Sequence, residues 1–303
     1  MWYYRIFGLT VLSDYELQEA YAIEATDEVD VTIAWEDMAD EYKNPTEMEI
    51  QKGSGHIRHL EKDWSCVRYV RCGTFIMSHG NKIAYYLFDG YDKVLVNQIM
   101  LCYCMTVILF QRKRLIIHGS GIYYKGKTLI ISGDSGAGKS SLASEIMSRN
   151  YLQMADDQVV IDIEENCAIA YPAFPIRKLC VDMVEKLNIP KERLLPMPDL
   201  EEEKYGLILK DEYYNRKAEL GGMVILQVGD VKEPKIREIT GSEKLKYITS
   251  NFFRKEMYET EGFPPELFMK TVVVANQMPV FIITRPDGKM TIKELADLVE
   301  QVL

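Results

Sequence analysis

Apolar positions along the chain change period several times, and each change marks a new element. Trp2 to Leu12 and Val29 to Trp35 cluster or alternate β-forming residues, and Ser65 to Tyr69, Thr74 to Met77 and Ile83 to Phe88 are short runs of the same kind. Gly73 and His79-Gly80-Asn81 punctuate these runs, and the second break predicts a hairpin. Between them Glu36 to Gly55 is acidic and without period, which reads as a solvated loop. Asp92 to Phe110 reads as a long buried helix around the apolar run Ile99 to Phe110, whose twelve residues are too few to cross a bilayer.

Beyond that helix, Leu115 to Ile117 predicts a strand with His118 at its end, and Thr128 to Ile131 a second strand. Ser141 to Met147 predicts a helix with Leu142, Ile146 and Met147 on one side. Val159 to Ile161, Met223 to Val228 and Val280 to Thr284 read as core strands, and Pro172 to Leu179 as an extended segment punctuated by proline. Helices are expected at Val181 to Leu187, Tyr247 to Met257 and Pro264 to Gln277, and an amphipathic closing helix, capped by Thr291, over Thr291 to Leu303. The expectation is an α/β chain: a small β-rich domain over residues 1–110, then a larger domain over 111–303.

Composition narrows the function. The 303 residues are 47% apolar and carry a formal charge of −10, which argues against nucleic acid as a partner because phosphate backbones are held by Lys and Arg clusters. The first residues, MWYYRIFGLTVL, have no signal-peptide pattern, and no membrane association is expected. The six cysteines include no C-x-x-C pair and are read as reduced, cytoplasmic thiols.

The strongest chemical signal is Gly133-Asp134-Ser135-Gly136-Ala137-Gly138-Lys139-Ser140, which fits G-x-x-x-x-G-K-[ST] and lies between a predicted strand and a predicted helix, with Ser141 opening the helix. Polyphosphate needs converging backbone N–H groups, which glycines leave accessible, and the helix adds the positive end of its dipole. Lys139 is then placed to neutralise the phosphates, and Ser140 to ligate a magnesium ion.

Asp156 and Asp157 stand just before the strand that follows the P-loop helix. Adjacent residues beside a strand face opposite ways, so one aspartate can support the metal shell while the other orients or deprotonates an acceptor hydroxyl. His118 on its own reads as an ordinary structural histidine, and His56-x-x-His59 lacks a nearby acidic or cysteine ligand to make a metal site.

The segment HGSGIYYKGKTLIISGDSGAGKSSLASEIMSRNYLQMADDQVV, His118 through Val160, resembles HPr kinase/phosphorylase, whose core runs H-G, G-D-S-G-x-G-K-S, A-D-D-x-V. The chain as a whole is similar to the HPr-kinase-like proteins of lasso peptide and other ribosomal peptide biosynthesis systems. The matching residues are Tyr4-Arg5-Ile6-Phe7-Gly8-Leu9, Gln111-Arg112, Ile117-His118 and the spaced Pro172, Pro175, Lys178 and Leu179. This resemblance implies a P-loop kinase domain of the HPr kinase type with a mixed sheet. It implies His118, Lys139 and Asp157 as catalytic residues, ATP and Mg2+ as cofactors, Ser140, Asp156 and Asp157 around the metal, and a peptide or protein hydroxyl as acceptor. Arg254 and Arg285 are further candidate cations, and assembly of identical chains is compatible with the resemblance. A small-metabolite kinase and a nucleotide-dependent regulator without turnover are the rival readings.

Overall fold

A computed structural model of the chain describes residues 1–52, 56–60, 63–134, 136–197, 204–255, 257–258, 262–289 and 291–302. The first sheet has eight strands: β1 (Trp2–Ile6), β2 (Leu9–Ser13), β3 (Tyr21–Ala22), β4 (Val31–Trp35), β5 (His56–Leu60), β6 (Trp64–Tyr69), β7 (Gly73–Ser78) and β8 (Lys82–Leu87). Their order is β3-β1-β2-β4-β8-β7-β6-β5. The run from Trp2 is a hairpin rather than one strand, because Phe7 and Gly8 take φ of 52° and 75° and turn the chain back so that Ile6 pairs with Leu9. The hairpin at His79 forms as expected, with Ser78 paired to Lys82.

The segment read as a solvated loop, Glu36 to Gly55, instead contains two short helices, Asp40–Lys43 and Glu47–Lys52; residues 53–55 lie outside the described ones. The second helix brings Glu49 Oε2 to 3.1 Å from Arg68, a fully buried cation on β6 that needs a carboxylate. Periodicity does not reveal such a partner.

The long apolar helix runs over Lys93–Gln111, started by Asp92, whose side chain accepts from the N–H groups of Val94 and Leu95. It is long and apolar enough to cross a membrane, but 78% of its most apolar window is buried within the protein. Its stretch Ile99–Cys104 winds as a π-helix, the Met105 N–H donating to the Met100 carbonyl five residues back. One apolar cluster continues from Tyr4 and Ile33 of the first sheet through Met100 and Ile108 of this helix to Ile116, Val160 and Ile282 of the second sheet.

That second sheet begins with β9 (Leu115–His118), β10 (Ser120–Tyr124), β11 (Lys127–Gly133), β12 (Leu152–Ala155), β13 (Gln158–Glu164) and β14 (Cys167–Tyr171). A separate three-stranded sheet follows, β15 (Ile176–Cys180), β16 (Leu194–Met197) and β17 (Lys204–Ile208), so the segment expected to be merely extended ends as a strand. The chain then returns to the second sheet with β18 (Ala218–Val228), β19 (Lys235–Ile239) and β20 (Val280–Arg285). The order is β12-β10-β11-β18-β14-β13-β9, with β20 on β18 and β19 on β20. The sheet is mixed, and β11, β18 and β20 run parallel, so their C-terminal ends gather on one side.

The helix expected over Tyr247 to Met257 is Glu243–Ser250; the chain then leaves the helix so that Phe252 can bridge to Ile117 beside β9. The closing helix spans Ile292–Glu300, and the Thr291 hydroxyl makes no capping hydrogen bond.

Candidate active site

The glycine loop leaves the end of β11 and enters the helix Lys139–Ser148, the context its spacing requires. Gly133 sits at φ 141°, and a Cβ there would come within 2.1 Å of the Leu226 carbonyl oxygen on the neighbouring β18. Gly138 caps the helix in a left-handed conformation at φ 100°. Lys139 reaches back across the loop, its ammonium donating to the carbonyls of Gly133 at 2.7 Å and Asp134 at 3.0 Å. Ser140 is exposed in the first turn of the helix, and Ser141 Oγ lies 3.8 Å from Met183 Sδ. Ser135 lies outside the described residues. Arg285, at the end of β20, donates to the carbonyls of Ala137 at 2.8 Å and Gly136 at 3.2 Å. It therefore braces the loop from the adjacent parallel strands.

Asp156 and Asp157 fill the turn between β12 and β13 and face different partners. Asp156 Oδ1 accepts from the Ser120 hydroxyl at 3.0 Å and Oδ2 from the Lys178 N–H at 2.8 Å. Asp157 Oδ2 accepts from the Lys178 ammonium at 2.7 Å, while its Oδ1 lies 3.4 Å from His118 Nε2. The backbone at Asp157 has φ 68°, and the Gln158 N–H donates to the Asp156 carbonyl at 2.8 Å. Together these define a γ-turn with a positive central φ, a strained form that costs on the order of 1–3 kcal/mol and persists only where its surroundings hold it.

His118 is set by the β9 pairing with Gln158 and by Asn251, whose carbonyl accepts the His118 N–H at 2.8 Å. The Ser132 hydroxyl donates to the His118 carbonyl, and it lies 2.6 Å from Asn251 Oδ1. Phe253 meets the imidazole edge to face at 5.9 Å.

Charges shape the pair. Burial opposes ionisation of Asp157, but Lys178, His118 and Lys139 around it hold its carboxyl below the ordinary value. Burial and the adjacent Asp157 charge raise Asp156. Burial also lowers His118, with Lys139 and Lys178 acting the same way and the two aspartates against it. Lys139 is lowered by burial. Burial works against the Lys178 charge too, yet Cys102 and the two aspartates facing it raise its pKa.

His118, Gly138, Lys139, Ser140, Asp157 and Lys178 line one cleft of about 480 Å³. A larger groove of about 730 Å³, against Arg5, Thr10 and Asp30 at the edge of the first sheet, contains none of them. The structure thus brings together the loop, the aspartates and His118, which are far apart in sequence. It adds Lys178 and Ser120, whose roles the sequence does not mark. Of the two further cations, Arg285 holds the loop, and Arg254 stacks 4.9 Å over the Tyr103 ring and 5.7 Å over the Phe253 ring. His56 and His59 lie on β5, and their side chains are outside the described residues. Among the described residues, no group of three or more His, Cys, Asp and Glu side chains converges as a metal cluster.

No protein-family description and no curated protein sequence matches the chain. In structure the chain is similar to the Hpr(Ser) kinase/phosphatase from Coxiella burnetii, at 13% identity over 62% of this chain and 92% of that one, with a TM-score of 0.30. At that score the likeness is a loose one.

Proposed function

We propose that the chain is an ATP-dependent kinase that transfers the γ-phosphoryl group to a hydroxyl, the acceptor being a Ser of a peptide or protein. The observation that carries this reading is the convergence of Lys139 of the glycine loop, Asp157 and His118 in one cleft, with Asp157 Oδ1 3.4 Å from His118 Nε2. A nucleotide-dependent regulator without turnover has little need of the aspartate pair and the histidine together.

In this reading the backbone N–H groups of the loop and the Lys139 ammonium bind the phosphates and align the terminal one. Asp157 accepts the proton of the attacking hydroxyl as its oxygen bonds to the γ phosphorus. The bond from that phosphorus to the β–γ bridging oxygen breaks, and ADP leaves. Lys178 keeps Asp157 ionised and adds positive charge beside the transferring group. His118 holds the other carboxylate oxygen and keeps the base aimed into the cleft.

Magnesium favours hard oxygen ligands and retains phosphates and waters in its shell, which suits the exposed Ser140 hydroxyl together with Asp157. When bound, the ion neutralises charge developing on the phosphates. Asp156, which accepts from the Ser120 hydroxyl and the Lys178 N–H, holds the turn and supports the metal shell from beside Asp157.

Residues 1–110 serve in this proposal as the acceptor-recognition unit and 111–303 as the kinase unit; a chain cut to 111–303 that transfers as well as the full chain would refute that division. The reaction itself is tested with γ-labelled ATP and Mg2+ in a size-fractionated extract of the source cell, comparing wild type with Asp157→Asn. The expected result is label in a peptide or protein fraction with wild type alone, the variant still binding ATP but transferring about 10²-fold slower or less. Label in the metabolite fraction would replace the acceptor class. No label anywhere would overturn the kinase reading.

A further inference from the structure

The strained turn at Asp157 is flanked by two anchors. One is Asp156, already described. The other is Gln158, which is 2% exposed and leads away from the cleft to the long helix. Gln158 Nε2 donates to the carbonyl of Cys102 at 2.9 Å, and its Oε1 accepts from the Thr106 hydroxyl at 2.9 Å. The Thr106 hydroxyl also lies against the Cys102 carbonyl. Both amide atoms of Gln158 are thus satisfied by one face of the helix, where the π-helical stretch Ile99–Cys104 runs into the α-helical stretch Met105–Gln111.

Three features coincide at this point. A positive φ at a non-glycine residue needs a surrounding structure that over-determines it. A π-helical turn within a helix is uncommon and is found disproportionately beside functional sites. A buried amide with both ends satisfied fixes its own backbone more firmly than an apolar side chain could, because any displacement strands polar atoms without water. Gln158 supplies the N–H that closes the γ-turn and is also the Cα partner of His118 across β13 and β9. Its side chain therefore fixes the residue on which both the turn and the histidine register depend.

Resting on the kinase reading above, we propose that Gln158 and Thr106, with the Cys102 carbonyl of the π-helical turn, form a clamp that positions Asp157. They are positioning residues, since neither lines the cleft beside the phosphates. The long helix then serves the site as well as the core: its wide turn is shaped to receive Gln158. The clamp acts on the attacking side of the reaction rather than on the glycine loop, because its side-chain hydrogen bonds join its members to one another.

The test uses the full-length protein and three variants, Thr106→Val, which keeps the shape of the side chain, Gln158→Leu, and Thr106→Ser, which keeps the hydroxyl. Phosphate release from MgATP, with water as acceptor, is measured alongside the 13C shifts of Asp157, which report its positive φ. In Thr106→Val and Gln158→Leu, kcat is expected to fall about ten-fold or more while KM for ATP stays within about two-fold, as one strained residue relaxes. In the same variants the Asp157 shifts move toward an ordinary turn, and Thr106→Ser keeps wild-type values of both. Unchanged Asp157 shifts in both disrupting variants, or kcat and ATP affinity falling together with stability, would overturn the clamp. Where wild type releases no phosphate to water, the Asp157 shifts alone decide the clamp; the kinase reading falls only if no label passes from γ-labelled ATP to any acceptor in the extract.

Discussion

At the scale of single residues, the decisive group is Lys178. Its ammonium stands 2.7 Å from Asp157, and its backbone N–H holds Asp156, so one residue of β15 serves both aspartates. An ionised Asp157 is what a base requires, and Lys178 is the strongest of the cations keeping it ionised against burial. Because the folded pKa of Asp157 lies below its ordinary value, the carboxylate is charged through the whole neutral range. Replacing Lys178 by Met removes that support and raises the pKa. The acid limb of kcat/KM against pH is therefore expected to move to higher pH in Lys178→Met, with lower activity at neutral pH. A limb that stays in place would show that Lys178 does not set the charge of Asp157. The sequence marks this lysine only through the spacing of Pro172, Pro175, Lys178 and Leu179 and gives it no role, since its partner lies 21 positions away.

At the scale of elements, the glycine loop depends on strand geometry as much as on its own residues. Parallel β11, β18 and β20 end on the same side, which places Arg285 where it can hold the carbonyls of Gly136 and Ala137. The same closeness leaves no room at Gly133, where a Cβ would overlap the Leu226 carbonyl oxygen. Gly133→Ala is expected to displace the loop, weakening ATP binding at least about ten-fold and lowering thermal stability by about 1 kcal/mol or more. Isothermal titration with ATP and a melting curve read the two effects, and wild-type affinity would show that the strand contact does not shape the loop. This part of the fold was legible in the sequence because its cause is local: a strand, a glycine spacing that only one backbone path satisfies, and a helix. The helix that delivers Glu49 to Arg68 and the contact of Gln158 with Cys102 and Thr106 were not legible, because in each the buried partner is distant along the chain. Likewise Thr291 carries the residue type of a cap, but its hydroxyl does not make that bond.

At the scale of the molecule, the junction between its parts contains a carboxyl that titrates in the neutral range. Glu19, in the stretch that follows β2, meets Gln98 and Leu101 of the long helix, and Ile176, Met197 and Gly206 of the three-stranded sheet, around a small cavity of about 20 Å³. Burial pushes its pKa up to about 7 from an ordinary 4.5, and its Oε2 has no hydrogen-bond partner among the described residues. Cys102 faces the same cavity, and burial raises its thiol as well, so Glu19 is the group at this junction whose charge changes first as pH rises. A carboxyl raised on folding favours the folded state while it stays protonated. That contribution is complete below about pH 4.5 and is lost as pH rises through about 7. Gln has nearly the same shape and never ionises, so Glu19→Gln is expected to match wild-type stability near pH 4.5 and to exceed it at pH 8. The gain at pH 8 should raise the melting midpoint by about 2 °C or more for a chain of this size. Equal midpoint differences at the two pH values would mean that Glu19 is already solvated in the fold. A gain confined to high pH would place the ionising group at the meeting point of the first sheet's loop, the helix and the sheet that carries Lys178. Raising pH would then loosen the same packing that holds Lys178 against Asp157, so stability and activity should decline together on the alkaline side in wild type and separate in Glu19→Gln.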